Sequence, residues 1–249
     1  MVLRQIEIVP EKETLITRAT AIVVAKIKSI LEKKERCTIA LAGGGTPKPL
    51  YESLATHNLP WQKIHFFWGD ERYVPSNHPQ SNQLMAHQAL LAKVPVPPTN
   101  IHPMPTDGIS PQADAARYES ELRDFFAIEP GNFPQFDLIL LGMGDDGHTA
   151  SLFPHTEVLK EKTKAIAVGN KSGQPRLTFT VPLINQADCV LFLVVGDNKS
   201  GVLSKILSDN NLEEFSYPAR LIQPQGELLW LLDQAAAKSI QDYQLSPAS

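Results

Sequence analysis

Cysteine is scarce: Cys37 and Cys189 are the only two in 249 residues. They lie far apart in strand-like apolar runs, so they read as buried packing residues in a reducing compartment rather than as a disulfide. Long apolar runs are also lacking. The longest, Cys189 to Val195, is far shorter than the roughly 20 residues that span a bilayer. Met1 to Glu7 carries no signal-peptide core, and the expected location is cytoplasmic, with no membrane partner. Positive charge is not in excess, with 23 Lys and Arg against 27 Asp and Glu and a net charge of −4. No global field gathers nucleic acid, and an anionic ligand has to be held by local residues. Seven histidines are present, but no H-E-x-x-H and no cysteine–histidine ligand set, so no metal is expected. No G-x-S-x-G elbow occurs and neither cysteine neighbours a histidine, which argues against a covalent nucleophile.

What is present is ordinary globular composition, 43% hydrophobic and 20% charged, in a chain long enough for a sizeable core. Ile16, Ala19, Val23, Ile27 and Ile30 or Leu31 recur at helical spacing, predicting an amphipathic helix from about Glu11 to Lys34 after a short first strand. Strand-like runs follow at Thr38–Ala42, Ile64–Trp68, Phe136–Leu141, Lys164–Val168, Leu177–Val181, Ala187–Val195 and Pro218–Ile222, with helical segments between most of them. Leu138 to Leu141 and Val190 to Val195 are apolar without alternation, as strands covered on both faces must be. The pattern predicts an α/β fold, a mostly parallel sheet flanked by helices, with residues 1–249 as a single domain. The prolines crowded between Pro95 and Pro105 read as a stiff surface loop within it. Val168 to Gly173 and Val195 to Gly201 look alike, but nothing around them repeats, so the likeness is one of loop composition.

Ligands of open parallel sheets sit beyond the carboxyl ends of strands, which directs attention to three segments. After the first of these strands comes Gly43-Gly44-Gly45-Thr46-Pro47. Its glycines let a ligand approach the backbone, Thr46 can cap the following helix, Pro47 suits the first turn, and free amides there bind phosphate. No Gly-Lys-Ser/Thr follows, so this is not a nucleotide P-loop; a plain strand-to-helix turn is the alternative. The second segment, Asp70-Glu71-Arg72, is either a solvated strand end or an acid, Asp70, beside a phosphate-pairing guanidinium, Arg72. The third runs from Gly142 to Pro154. Gly142, Gly144 and Gly147 match G-x-G-x-x-G, yet Asp145 and Asp146 would face a pyrophosphate and no carboxylate closes the next strand. The glycines instead shape a turn that presents Asp146 and His148, a carboxylate beside a candidate general base.

Taken in order, Gly43 to Tyr51, then Asp70-Glu71-Arg72 with Ser81-Asn82, then Gly142 to Pro154, resemble the three signature blocks of the 6-phosphogluconolactonases. The resemblance continues through Arg176-Leu177-Thr178 to Trp230-Leu231-Leu232-Asp233. One departure is Gly45, where that family commonly has serine; a hydroxyl is lost and the amides remain. The resemblance implies a Rossmann-like sheet related to the glucosamine-6-phosphate deaminase fold. It implies hydrolysis of 6-phosphogluconolactone to 6-phosphogluconate, in the oxidative pentose phosphate pathway, without metal or organic cofactor. Deaminase–isomerases resemble the chain around His148 but carry glutamate where Phe153 stands, and phenylalanine performs no proton transfer. A non-catalytic sugar-phosphate binder is the other alternative; as a regulator it would need a DNA-binding module, for which the start of the chain leaves no room.

On this reading the phosphate sits at Gly43, Gly44, Gly45 and Thr46, with cationic help from Arg72, Arg176 and Lys199. His148 takes a proton from water, Asp146 orients and stabilises the imidazole, and Asp70 serves the sugar hydroxyls or proton handling. The expected partner is the small-molecule substrate alone, with no nucleic acid, in a monomer or weak homo-oligomer.

Overall fold

The computed structural model describes residues 3–129, 131–208 and 213–240. Its frame is a seven-stranded sheet in the order β1-β10-β9-β6-β2-β3-β5, parallel at every pairing. The strands are β1 (Leu3–Val9), β2 (Cys37–Leu41), β3 (Ile64–Trp68), β5 (Ile101–His102), β6 (Leu138–Gly142), β9 (Cys189–Val194) and β10 (Glu227–Asp233). Every residue of β2 and β9 is buried, as expected of unbroken apolar runs covered on both faces. Helix α1 (Lys12–Leu31) buries Leu15, Ala19, Val23 and Ile27. The stripe thus begins at Leu15 rather than Ile16, and the helix is slightly shorter than the predicted 11–34. Cys37 and Cys189 are buried and unpaired, and burial pushes both thiols up, Cys189 to about 11.

Two predicted strands belong elsewhere. β7 (Ile166–Lys171) and β8 (Gln174–Phe179) form an antiparallel hairpin, and β8 pairs with β4 (Asp70–Arg72) in a separate three-stranded sheet. The chain leaves the large sheet for the small one at Gly69, whose amide donates to Leu41 O (2.9 Å) and whose carbonyl accepts from Phe179 N (2.8 Å). The predicted strand at Pro218–Ile222 is instead a 3-10 turn, Pro218–Leu221, with proline in its first turn. The last strand of the sheet is β10, one apolar run later. The proline-rich stretch holds another 3-10 turn, Pro98–Asn100, and then β5, the sheet's edge. The two look-alike segments are unrelated in structure: one is the β7–β8 hairpin, the other a strand end entering helix α6 (Ser200–Leu207).

From β2 the chain runs outward through β3 and β5, then returns to lay β6 on the other side of β2. The order reverses between β2 and β6, and connections leaving two such strands diverge, opening a crevice at their carboxyl ends. The glycine run follows β2, and Gly142 ends β6.

Candidate active site

A cleft of about 250 Å³ occupies that crevice, lined among others by Gly43, Gly44, Gly45, Thr46, Asp70, Arg72, His148, Arg176 and Lys199. Nine of the ten residues singled out from sequence therefore meet in one place. The tenth, Asp146, stands behind His148.

The floor is the turn from β2 to α2 (Pro47–Leu54). Fully buried Tyr51 holds its root, donating to Ala42 O (2.8 Å) and accepting from Ala42 N (2.9 Å). Gly44 adopts φ +100°, a conformation glycine takes without strain. The amides of Gly43, Gly44, Gly45 and Thr46 have no partner among the described residues, so they are available to an anion. Pro47 takes the first helical position as predicted. Thr46 occupies the N-cap with αR backbone angles, and its side chain makes no capping bond; the expected hydroxyl cap is absent because that bond needs an extended cap residue.

One wall is the small sheet. Asp70 lies opposite Thr178 and Arg72 opposite Arg176, so alternate residues bring Asp70, Arg72 and Arg176 to one face. The strand end is not solvated: Asp70 is 7% and Glu71 3% exposed. The Glu71 carboxylate accepts from the amides of Arg72, Asn82 and Gln83 at 2.7–2.8 Å and from Ser81 Oγ, fixing β4 to the start of α3 (Asn82–Ala86). Ser151 Oγ donates to Asp70 Oδ2 at 2.7 Å, and Thr178 Oγ1 accepts from Ser151 N. Arg72 donates to Gln80 O at 2.7 Å, while the Nε atoms of Arg72 and Arg176 are buried without partners. Burial and then the facing Arg72 charge lower the Arg176 guanidinium's pKa, against Asp70 and Glu71. Lys199 enters after β9, where Asp233 accepts from Gly196 N (3.0 Å) and caps α7 (Gln234–Ala237). None of Arg72, Arg176 and Lys199 forms an ion pair among the described residues. Like charges so gathered favour an anion between them.

The opposite wall is the loop after β6. Asp146 Oδ1 meets His148 Nδ1 at 2.5 Å and accepts from His148 N at 3.0 Å. Burial raises the Asp146 pKa, but the amide and imidazole of His148 outweigh it, and the net shift is downward. The turn closes through Gly144 N to His148 O (2.8 Å), with Thr149 Oγ1 donating to Gly142 O (2.8 Å). A Cβ on Gly144 would stand 2.0 Å from His148 Nδ1 and 2.6 Å from Asp146 Oδ1. Gly147 has φ +80°, and a Cβ there would meet Tyr217 at 2.8 Å. These glycines thus shape the acid–imidazole pair and not a nucleotide loop. With Nδ1 engaged by the carboxylate, Nε2 is the nitrogen left to exchange a proton with a ligand.

Sequence reasoning left three supports without a role. Asn82 is 1% exposed, lines the cleft and donates to Asp70 O at 2.9 Å, and its Oδ1 occupies the place a Cβ on Gly43 would need. Ser151 and Tyr51 lie inside the signature blocks, but their partners lie outside the blocks that hold them, so only the fold reveals them.

The family model of glucosamine-6-phosphate isomerases/6-phosphogluconolactonase matches residues 10–230. A 6-phosphogluconolactonase of Synechocystis is 56% identical over 236 residues, covering 95% of this chain and 98% of that one. The crystal structure of 6-phosphogluconolactonase from Thermotoga maritima superposes with a TM-score of 0.81 at 33% identity, over 92% of this chain and 99% of the other. A monomeric glucosamine-6-phosphate deaminase has a TM-score of 0.79 at 25% identity, over 94% and 99%.

Proposed function

The chain belongs to the family of glucosamine-6-phosphate isomerases and 6-phosphogluconolactonases, and from that premise we propose that it hydrolyses 6-phosphogluconolactone to 6-phosphogluconate. One observation carries the reading: a carboxylate-backed imidazole opens onto the same cleft as three cations that form no ion pair among the described residues. The phosphate lies on the amides of residues 43–46, between Arg72, Arg176 and Lys199. The lactone carbonyl then faces His148. Nε2 removes a proton from water as the water oxygen bonds to the carbonyl carbon, and Asp146 stabilises the imidazolium through Nδ1. When the tetrahedral adduct collapses, the ring C–O bond breaks and His148 returns the proton to the leaving oxygen. The new carboxylic acid ionises, so each turnover releases one proton. Asp70, held by Ser151 and Asn82, is placed for the sugar hydroxyls.

Phe153 favours the lactonase over the deaminase reading. It is 6% exposed and its ring lies 4.7 Å from that of His148, filling the position where ring opening and enolisation would call for another proton-transfer group. We further place the reaction in the cytoplasmic oxidative pentose phosphate pathway, with residues 1–249 acting as one domain; no helix among the described residues is long and apolar enough to cross a membrane. Purified protein incubated with fresh 6-phosphogluconolactone is expected to accelerate its conversion to 6-phosphogluconate and to release no ammonia from glucosamine 6-phosphate. Ammonia without lactone turnover would replace the reading with a deaminase.

A further inference from the structure

The ring of Phe153 touches more than the imidazole. Lys171 Nζ stands 5.4 Å, and the Arg176 guanidinium 5.9 Å, from its centroid. Both cations come from one face of the β7–β8 hairpin: Arg176 pairs with Gly169, and Lys171, two residues on from Gly169, projects to the same side. The hairpin is pressed onto the loop that carries Phe153, since a Cβ on Gly169 would stand 2.4 Å from Ser151 O. It is also tied there by Ser151 N to Thr178 Oγ1 at 3.1 Å. One nearly buried ring therefore borders the candidate base and two cations that form no ion pair among the described residues.

We propose that Phe153 is a positioning residue that partitions the active site, fixing the His148 imidazole while seating the Lys171 and Arg176 charges on its own π-electrons. An aromatic face attracts cations and imidazolium alike. The ring thus supports Arg176 beside the phosphate position and lets His148 become positively charged at the moment of proton transfer. The charged groups that share the cleft or the ring with His148 are Asp146 in contact with it on its own loop, Asp70, Arg72, Arg176 and Lys199 in the cleft lining, and Lys171 over the Phe153 ring. Of these, Lys171 and Arg176 are the ones the ring seats. An aliphatic side chain would fill part of the volume but leave both cations acting on the base unscreened.

The inference rests on the lactonase reading, and the test separates the two: if that reading fails, the wild-type chain shows no turnover. With wild-type turnover established, kcat and KM for 6-phosphogluconolactone are measured across pH for Phe153→Leu, Phe153→Met, Phe153→Tyr, Lys171→Met and the double variant Phe153→Leu/Lys171→Met. Phe153→Leu and the similarly sized Phe153→Met are expected to lose about tenfold in kcat, and the acid limb of their profiles moves to lower pH. Phe153→Tyr retains the ring and most of kcat. Lys171→Met alone leaves the acid limb in place, but in the Phe153→Leu background it moves the limb back toward the wild-type position. Folded Leu and Met variants with the wild-type acid limb, or a Lys171→Met effect that is the same with and without the ring, would overturn the proposal and reduce Phe153 to packing. Should the Leu variant fail to fold, the Met variant carries the comparison.

Discussion

A single Cβ can separate the two halves of the proposed proton-transfer pair, His148 and Asp146. Gly144→Ala would place a carbon inside the His148–Asp146 contact, and we expect a loss of about 10²–10⁴-fold in kcat, the range of a displaced general base. Wild-type turnover in that variant would contradict the assignment. His148→Ala is expected to abolish turnover and retain 6-phosphogluconate binding. Arg176→Ala removes a charged hydrogen-bond donor worth about 1.5–3 kcal/mol, or roughly ten- to a hundredfold in affinity, and should chiefly weaken binding in titration calorimetry. The reverse pattern would exchange the roles. The gathering of Gly43–Thr46, Asp70, Arg72, Asp146 and His148 was the feature most legible in the sequence, because each lies in a short segment that follows a strand. Glu71 was not legible: its three amide partners include Asn82 and Gln83 on another element, and no spacing rule announces such a cap.

At the scale of elements, burial decides what periodicity leaves open. Pro218-Ala219-Arg220-Leu221 and Glu227–Asp233 are both apolar-rich runs near the end, but only the second lacks proline and can pair on both sides, with β1 and β9. The β7–β8 hairpin was legible as two strands and not as a separate sheet, since partner choice depends on β4, about a hundred residues earlier in the chain. The sheet's other edge carries a pH-dependent contact. His65 on β3 meets His102 on β5 at 3.1 Å, and His102 meets Glu121 on α4 (Pro111–Phe126) at 3.0 Å. Burial, then the charges of His102 and Arg36, lower the His65 pKa to about 4. At His65 the folded state thus holds fewer protons than the unfolded state between about pH 6.5 and 4, and this residue's contribution to stability falls as pH drops through that window. Urea midpoints measured from pH 7 to 4 should decline, and His65→Phe should flatten the decline. An unchanged slope in the variant would place the acid sensitivity elsewhere.

For the whole molecule, topology assembles the site. The reversal between β2 and β6 sets the Gly43–Gly45 run and the His148 loop at the same carboxyl end of the sheet. The small antiparallel sheet, whose pairing periodicity does not reveal, then closes the cleft with Asp70, Arg72 and Arg176. A net charge of −4 leaves anion capture to local cations, and on the proposed reading the phosphate is what admits the substrate. The most direct measurement is proton release in a pH-stat from fresh 6-phosphogluconolactone and from unphosphorylated gluconolactone, each with and without the protein. The account predicts acceleration confined to the phosphorylated lactone, whereas equal acceleration of both, or of neither, would contradict it.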